Sequence, residues 1–286
     1  MEEAHRSWEL IRILSSLKVT LSKMCPSFLF KPAYSLLKAG RVVRYRSDMI
    51  LNPKKMKFYC PCCEFRFRSF NDGVYKELHN RFNSTRYEGI RQDVLCPICR
   101  ALPRHRILAL WCENRIEELR KASILYFAPE QSMMRWMKRN EISYTTADLY
   151  SSGVDLKLDI QDTGLPDSTY DVVIANHVLE HVDDFREALR EVHRILKRNG
   201  FFICSFPMDP EIELLDEESE QLSEEERILR FGQNDHKRVF GMKADKFLRE
   251  AGFDVEVIDG TDYSDEILPI VGPADYDMNM LFCCRK

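Results

Sequence analysis

The sequence predicts an α/β fold with a doubly wound, mostly parallel sheet, preceded by a small N-terminal zinc-ribbon-like region. Two observations predict this architecture. From Ile124 onward, short apolar runs alternate with amphipathic stretches, as strands and helices alternate in a parallel sheet. Upstream, four of the ten cysteines form two Cys-x-x-Cys pairs, a spacing typical of metal ligands rather than disulfide bridges. We therefore divide the chain into residues 1–57, 58–103 and 104–286.

Composition and charge limit the class of protein. The chain has 286 residues, of which 44% are apolar and 31% charged, an ordinary balance for a globular protein with a core of its own. Residues 1–60 carry a net charge of +8, so the net charge of −4 for the whole chain leaves −12 on the remainder. No secretory signal is apparent and no apolar run is long enough to cross a bilayer. We therefore expect a cytoplasmic protein with reduced thiols.

The first segment, residues 1–57, is predicted to be basic, amphipathic and helical. One hypothesis is peripheral contact with a membrane through residues 1–46. The interpretation that we favour is that these helices pack on the next domain. The basic charge is equally consistent with an anionic partner and with a solvated surface.

The second segment, residues 58–103, holds both cysteine pairs. The predicted zinc ligands are Cys60, Cys63, Cys96 and Cys99. Four thiolates complete a tetrahedral shell with no open position, so the expected zinc is structural. Cys62 is a substitute ligand candidate within the first pair. Such a metal can fold a small region that lacks a core.

The third segment, residues 104–286, contains the alternating pattern. Strands are predicted at Ser123–Phe127, Ser143–Asp148, Val172–Asn176, Phe201–Phe206, Asp254–Ile258 and Met280–Cys284. Helices are predicted at Gln131–Arg139, Phe185–Lys197 and Lys243–Ala251. Residues 211–226 carry nine acidic side chains in sixteen positions and are expected to be an exposed insertion.

An open parallel sheet binds its ligand beyond the carboxyl ends of its strands. Asp148 lies 24 positions after Ile124, at the end of the second predicted strand. An acidic residue at such a position can accept hydrogen bonds from both hydroxyls of a ribose. Asp148 is therefore a candidate nucleoside ligand.

The run from Leu165 to Val182 contains the strand Val172–Asn176 and the sequence His177-Val178-Leu179-Glu180-His181. With the following helix and the strand after Gly200, it resembles class I S-adenosylmethionine-dependent methyltransferases of the type 11 kind, over about residues 125–286. The resemblance implies a Rossmann-like sheet of seven strands, S-adenosylmethionine as cofactor and methyl transfer (EC 2.1.1.-) as the reaction.

A narrower similarity joins the two parts of the chain. Cys96-Pro97-Ile98-Cys99, Phe127-Ala128-Pro129-Glu130 and the run Phe231–Gly241 resemble a subgroup of methyltransferase-like proteins with an N-terminal Cys-Pro-x-Cys zinc region. Proteins of this subgroup are sometimes associated with glycoconjugate synthesis. The similarity implies a small-molecule or glycan acceptor.

The resemblance also implies the cofactor-binding residues, which are Phe127, Ala128, Pro129, Glu130, Asp148, Leu149, Asp159, Ile160, Asn176 and His177. Asp148 is expected to hold the ribose, and Asp159 with Ile160 the adenine. The first loop departs from the family, because Ala128-Pro129-Glu130 replaces the usual Gly-x-Gly turn. Glu130 is expected to compensate by pairing with the amino group of the cofactor.

Methyl transfer to a hydroxyl needs a base, and His177 and His236 are the candidates, with Arg238 as a further catalytic candidate. Two other functions remain open. One is an RNA methyltransferase that uses the zinc region to recognise its substrate. The other is a non-catalytic scaffold with a methyltransferase fold, which the missing glycines favour.

Overall fold

The computed structural model describes residues 42–43, 46–74, 90–268 and 280–286. The chain divides into two compact units, Met1–Pro53 and Lys54–Lys286. In the first unit, residues 46–51 are helical. The hypothesis of membrane contact through residues 1–46 otherwise lies outside the described residues. Within the described ranges, none of the helices combines the length and the apolar character that a bilayer span requires.

Thirteen strands are described. They are β1 (Phe58–Cys60), β2 (Phe65–Phe67), β3 (Asn71–Val74), β4 (Ile90–Leu95), β5 (Ile124–Phe127), β6 (Thr145–Ala147), β7 (Tyr170–Asn176), β8 (Leu196–Ser205), β9 (Met208–Asp209), β10 (Leu215–Glu217), β11 (Arg238–Gly241), β12 (Asp254–Asp259) and β13 (Met280–Arg285). In the second unit, the described α-helices are α1 (Pro103–Glu113), α2 (Ile116–Leu119), α3 (Gln131–Arg139), α4 (Phe185–Ile195), α5 (Glu224–Phe231) and α6 (Asp245–Glu250).

The central sheet has the strand order β12-β13-β8-β7-β5-β6. The neighbours β6, β5, β7 and β8 run parallel, and β13 is antiparallel to both β8 and β12. Strand order therefore reverses between β5 and β7, which is the topological switch of a doubly wound sheet and the usual place for a ligand. The mostly parallel fold class predicted from the sequence is confirmed.

The described sheet has six strands, so the expectation of seven is not met. At the seventh position, beside β6, Leu156 forms a single parallel bridge to Ala147. Its amide donates to the Thr146 carbonyl at 3.0 Å. The preceding residues 151–153 are Ser-Ser-Gly and are exposed, so too few apolar side chains are available to bury a longer strand.

The strands that flank the switch are buried on both faces. All four residues of β5 are buried, as are Val172 to Asn176 in β7. Helix α4 covers one face with Phe185, Leu189 and Val192, and its N-cap Asp184 accepts hydrogen bonds from the amides of Arg186 and Glu187. This burial fixes the carboxyl ends of β5 and β7 against a rigid layer.

Two segments differ from the sequence prediction. Helix α4 ends at Ile195 rather than Lys197, and the predicted helix end at Lys197–Gly200 lies inside β8. The acidic segment 211–226 is not simply an exposed insertion. Its strand β10 pairs antiparallel with β11, and its last residues begin α5, where Ser223 and Glu226 form a capping box.

Candidate functional site

Four cysteine thiols converge beside the central sheet. The sulfur atoms of Cys60, Cys63, Cys96 and Cys99 all lie within 4.8 Å of one another. The Cys60–Cys99 and Cys63–Cys96 sulfur separations are 3.7 Å and 3.6 Å. A tetrahedral zinc ion with bonds of about 2.3 Å needs sulfurs roughly 3.8 Å apart. The cluster therefore has the dimensions of a Cys₄ zinc site.

Both cysteine pairs use the same turn. The amide of Glu64 donates to the Cys60 carbonyl at 2.7 Å, and the amide of Arg100 donates to the Cys96 carbonyl at 3.0 Å. Glu64 and Arg100 have positive φ angles of 60° and 64°. Burial raises the pKa of the Cys60 thiol, so only a bound cation would make four thiolates stable at this position.

Cys62, the substitute ligand candidate, is not among the four cysteines of this cluster. Its thiol donates to the carbonyl of His105 in α1 at 3.3 Å. Arg139 of α3 donates to the Cys62 carbonyl at 3.0 Å and pairs with Glu64 at 3.0 Å. The first cysteine pair and its turn, residues 60–64, form the first knuckle. This knuckle is therefore attached to both α1 and α3.

The carboxyl ends of β5, β6 and β7 meet at one edge of the sheet. Phe127 pairs with Ala147 on one side and with Ala175 on the other. Ala128, Asp148 and Asn176 follow these positions and therefore lie at the same edge. Of the predicted cofactor residues, Phe127, Asn176 and Ile160 are buried, and Leu149 is exposed.

Asp148 is half-buried at the end of β6. Its Oδ1 accepts hydrogen bonds from the amides of Tyr150 and Ser151 at 2.8 and 2.7 Å, so the carboxylate is oriented by the turn that follows it. Asp159 is held similarly, by the amide and side chain of Gln161. Both carboxylates are thus positioned by local turns before any ligand binds.

The first loop is organised around Glu130. Its Oε1 accepts from Arg104 Nη2 at 2.9 Å and lies 2.5 Å from His105 Nε2. Burial opposes ionisation of Glu130, but the charges of His105 and Arg104 outweigh it and hold the pKa of this carboxyl well below its usual range. Oε2 is buried without a hydrogen-bond partner. Oε1 of Glu130 is therefore occupied by Arg104 and His105 of α1. The expected pairing with the amino group of the cofactor could use only Oε2.

His177 follows β7 and has a positive φ of 52°. Its Nδ1 lies 3.1 Å from Oε1 of Glu180, whose side chain is fully buried, and its Nε2 is buried without a hydrogen-bond partner. Burial lowers the pKa of His177, which favours the neutral imidazole. The adjacent Asn176 uses Oδ1 to accept from Ser205, while its Nδ2 is buried and unpartnered.

His236 and Arg238 lie just before and at the start of β11. The Nδ1 of His236 lies 3.0 Å from the Phe231 carbonyl, and its ring is 4.7 Å from that of His181. Arg238 is 1% exposed and donates to the carbonyls of Leu179, Val182 and Asp183 and to the Glu217 carboxylate. Lys237 pairs with Asp183. Both cations are already partnered, so neither offers a free positive charge to a substrate.

Comparison with known proteins finds a family similarity in the part of the chain that carries this edge. Residues 119–204 match the family described as "Methyltransferase domain". The chain is similar to this family over these residues. The match runs from before β5 into β8 and so includes β5, β6 and β7, whose carboxyl ends carry the candidate site.

Other similarities to the methyltransferase domain are more distant. The "Uncharacterized methyltransferase YcgJ" of Bacillus subtilis is 38% identical over 52 residues, which are 18% of this chain and 21% of that protein. A SAM-dependent methyltransferase structure from Archaeoglobus fulgidus is 16% identical with a TM-score of 0.42, covering 64% of this chain and 94% of that one. An S-adenosylmethionine-dependent methyltransferase from Mesorhizobium loti has the same TM-score of 0.42 and 16% identity, covering 62% and 97%.

Sequence reasoning missed the partners of two site residues. The contact of Glu130 with Arg104 and His105, and the proximity of Glu180 and His181 to His236, join segments far apart in the chain. A signal for the second existed in the spacing His177-x-x-Glu180-His181, which places three polar side chains in one turn after a buried strand.

Proposed function

We propose that the chain is an S-adenosylmethionine-dependent methyltransferase with a structural zinc ion. The observation that carries this proposal is the carboxyl edge of the methyltransferase domain, where the oriented carboxylate of Asp148 and the unpartnered His177 Nε2 follow nearby strands. Together they supply a ribose acceptor and a basic nitrogen at the topological switch of the sheet.

The residues at this edge fit a nucleoside cofactor with an amino-acid end. Asp148 would accept from the ribose hydroxyls, and Asp159 with Ile160 would provide a polar acceptor and an apolar surface for adenine, with Leu149 beside them. Phe127, Ala128 and Pro129 would line the first loop. Two buried polar atoms without partners, Glu130 Oε2 and Asn176 Nδ2, would be satisfied by the ammonium and carboxylate of the methionine end.

Bound S-adenosylmethionine supplies a methyl group that is already activated on a sulfonium. The protein would then have to orient the acceptor, exclude water and remove a proton from a weak nucleophile. His177 is the base that we assign, because Glu180 lies against its Nδ1 and leaves the Nε2 lone pair free. Arg238 would act as a positioning residue, since its donors hold the 179–183 turn that carries Glu180.

A hydroxyl of a small molecule or glycan is the acceptor class that we assign. A neutral hydroxyl is a weak nucleophile that requires a base, and the buried neutral His177 meets that requirement. An RNA acceptor would instead predict binding that weakens steeply with salt concentration.

The zinc is assigned a structural role. The four thiols of Cys60, Cys63, Cys96 and Cys99 would fill all four tetrahedral positions, so no position remains for a substrate. Metal analysis of protein that was never exposed to chelator should give at least one equivalent of zinc per chain.

The decisive experiment is calorimetric titration of the full chain with S-adenosylmethionine and with its demethylated product. We expect binding, and Asp148→Ala should weaken it by roughly tenfold to a hundredfold, because charge-assisted hydrogen bonds are lost. Asp254→Ala is the matched control, since Asp254 is exposed at the opposite, amino end of β12. Absence of binding to the wild-type chain would leave only the non-catalytic scaffold.

A further inference from the structure

A second set of metal-binding side chains lies near the carboxyl edge of β7. The carboxylate of Glu180 and the imidazoles of His181 and His236 offer ligand atoms that all lie within 4.8 Å of one another. Two ligands on one divalent ion, at about 2.1 Å from it, lie roughly 3 to 4 Å apart. Shifts of less than about 1 Å in each side chain would therefore close the three atoms around a common ion.

The backbone holds the two contributing segments together. Glu180 and His181 lie in the turn after β7, and His236 lies just before β11. The amide of Lys237 donates to the Glu180 carbonyl at 2.9 Å. Arg238 adds bonds to the Leu179 and Val182 carbonyls at 2.7 and 2.6 Å. These bonds hold the backbone segments that carry the three side chains close together.

Both histidines are oriented as metal ligands are. His236 Nδ1 faces the Phe231 carbonyl at 3.0 Å, and a carbonyl can only accept, so Nδ1 must carry the proton. His181 Nδ1 faces the Asp235 carboxylate at 3.2 Å, so this nitrogen also carries a proton. In each ring the Nε2 lone pair is left free, and His181 Nε2 lies 4.0 Å from Glu180 Oε1. A carbonyl or carboxylate on the second nitrogen is the usual support of a ligating imidazole.

Glu180 supplies the charge that a cation would need. Its side chain is fully buried, and Oε2 has no hydrogen-bond partner among the described residues. Oε1 lies 3.1 Å from His177 Nδ1. An ionised carboxylate is costly to bury unless it is paired or coordinates a metal.

We propose that Glu180, His181 and His236 form a site for a divalent transition-metal ion, separate from the Cys₄ cluster. Two imidazoles and one carboxylate leave further coordination positions open, unlike four thiolates, so the ion would also bind water or an oxygen ligand. Imidazole and carboxylate donors accept Zn²⁺, Fe²⁺ and Mn²⁺, whereas thiolates select softer ions. This difference allows the two sites to be distinguished.

The test is a titration of the zinc-loaded full chain with Mn²⁺, in which electron paramagnetic resonance reports the free ion. We expect one equivalent of Mn²⁺ bound per wild-type chain and displacement by added Zn²⁺. His181→Asn, His236→Asn and Glu180→Gln should each raise the dissociation constant at least tenfold. His193→Asn is the matched control, because His193 is a half-buried histidine on α4 outside the cluster, and it should bind as the wild type does. The proposal would be overturned if the three variants bound Mn²⁺ as tightly as the wild type. It would also be overturned if the wild-type chain bound no Mn²⁺.

A second measurement on the wild-type chain serves if those variants do not fold. Zinc X-ray absorption at two equivalents per chain should reveal a sulfur shell from the first ion and an added nitrogen and oxygen shell from the second. Saturation at one equivalent, or sulfur ligation alone, would contradict the second site. Neither measurement depends on methyl transfer, so its outcome is separate from that of the proposed function.

Discussion

At the scale of single residues, two non-glycine residues adopt left-handed backbone conformations at one edge of the sheet. Ala128 has a φ of 46° after β5, and His177 has a φ of 52° after β7. Such conformations cost about 1–2 kcal/mol each for residues with a side chain. The chain tolerates this cost because backbone hydrogen bonds fix both positions, from Ala128 to Ala147 at 2.9 Å and from His177 to Ser205 at 2.8 Å. Strain at this edge supports a binding role for it.

His177 carries the first prediction at this scale. His177→Gln keeps a donor that can face Glu180 but removes the basic nitrogen. If His177 is the general base, turnover should fall about a hundredfold or more while the dissociation constant of the cofactor changes by less than about threefold. Steady-state kinetics and calorimetry measure the two quantities. His193→Gln should leave both unchanged, and near wild-type turnover in His177→Gln would exclude the base assignment.

Single residues also mark the limit of sequence reasoning. The four zinc ligand candidates and Asp148 could be named because their signals are local, either a cysteine spacing or a carboxylate after a strand. The partners of Glu130 could not, since Arg104 and His105 reach it from a helix about 25 residues earlier. Cys62 was left open as a ligand, and only the orientation of its thiol towards His105 separates it from its neighbours.

At the scale of elements, burial determined which predictions were accurate. Helix α3 has the predicted bounds, and the strands at Ile124, Tyr170 and Met280 differ by two residues or fewer, because their apolar runs are interrupted by polar turns. The boundary between α4 and β8 could not be located, since Leu196 continues the apolar pattern of both elements. The acidic segment was misjudged because β10 is held by its pairing with β11, a tertiary contact that composition does not reveal.

Helix α4 also anchors the segment after Asp159, and this contact gives a prediction of pH dependence. Glu191 Oε1 accepts from the amide and hydroxyl of Thr163 at 2.8 and 2.5 Å and from Arg194 at 2.7 Å. The hydrogen bonds from Arg194, and then those from Thr163, lower the pKa of Glu191 from 4.5 to about 2. Its contribution to stability should therefore be complete above pH 4.5 and be lost as the pH falls towards 2.

Glu191→Gln should lower the free energy of unfolding by about 1–3 kcal/mol at pH 7, and the difference from wild type should shrink below pH 4.5. Urea unfolding at a series of pH values measures this difference. Glu187→Gln is the control on the same helix, because Glu187 is exposed and pairs only with Arg190 among the described contacts of its carboxylate. A difference between Glu191→Gln and wild type that stays constant down to pH 3 would contradict the assignment.

At the scale of the whole molecule, the cysteine cluster and the first loop are connected through α1. The Cys62 thiol bonds to the carbonyl of His105, and the ring of the same residue contacts Glu130 in the first loop. Arg104 adds a second contact to Glu130. Residues Lys54–Lys286 form one compact unit, so the cysteine cluster and the central sheet belong to the same unit. A structural change at the first knuckle should therefore alter the conformation of the first loop.

Loss of zinc tests this connection. In Cys63→Ser, one of four ligands is lost, zinc content should fall below half an equivalent, and the first knuckle should lose its shape. Because this knuckle supports His105 and Arg139, we expect one cooperative unfolding transition at lower temperature and a dissociation constant for S-adenosylmethionine raised about tenfold. Calorimetry in scanning and titration modes measures both effects. Cys112→Ala is the control, since Cys112 is a buried thiol of α1 outside the cluster, and it should retain zinc and cofactor binding. Unfolding of the zinc-free chain in two separate transitions, with cofactor affinity unchanged, would mean that the knuckles form an independent module and that α1 transmits nothing to the site.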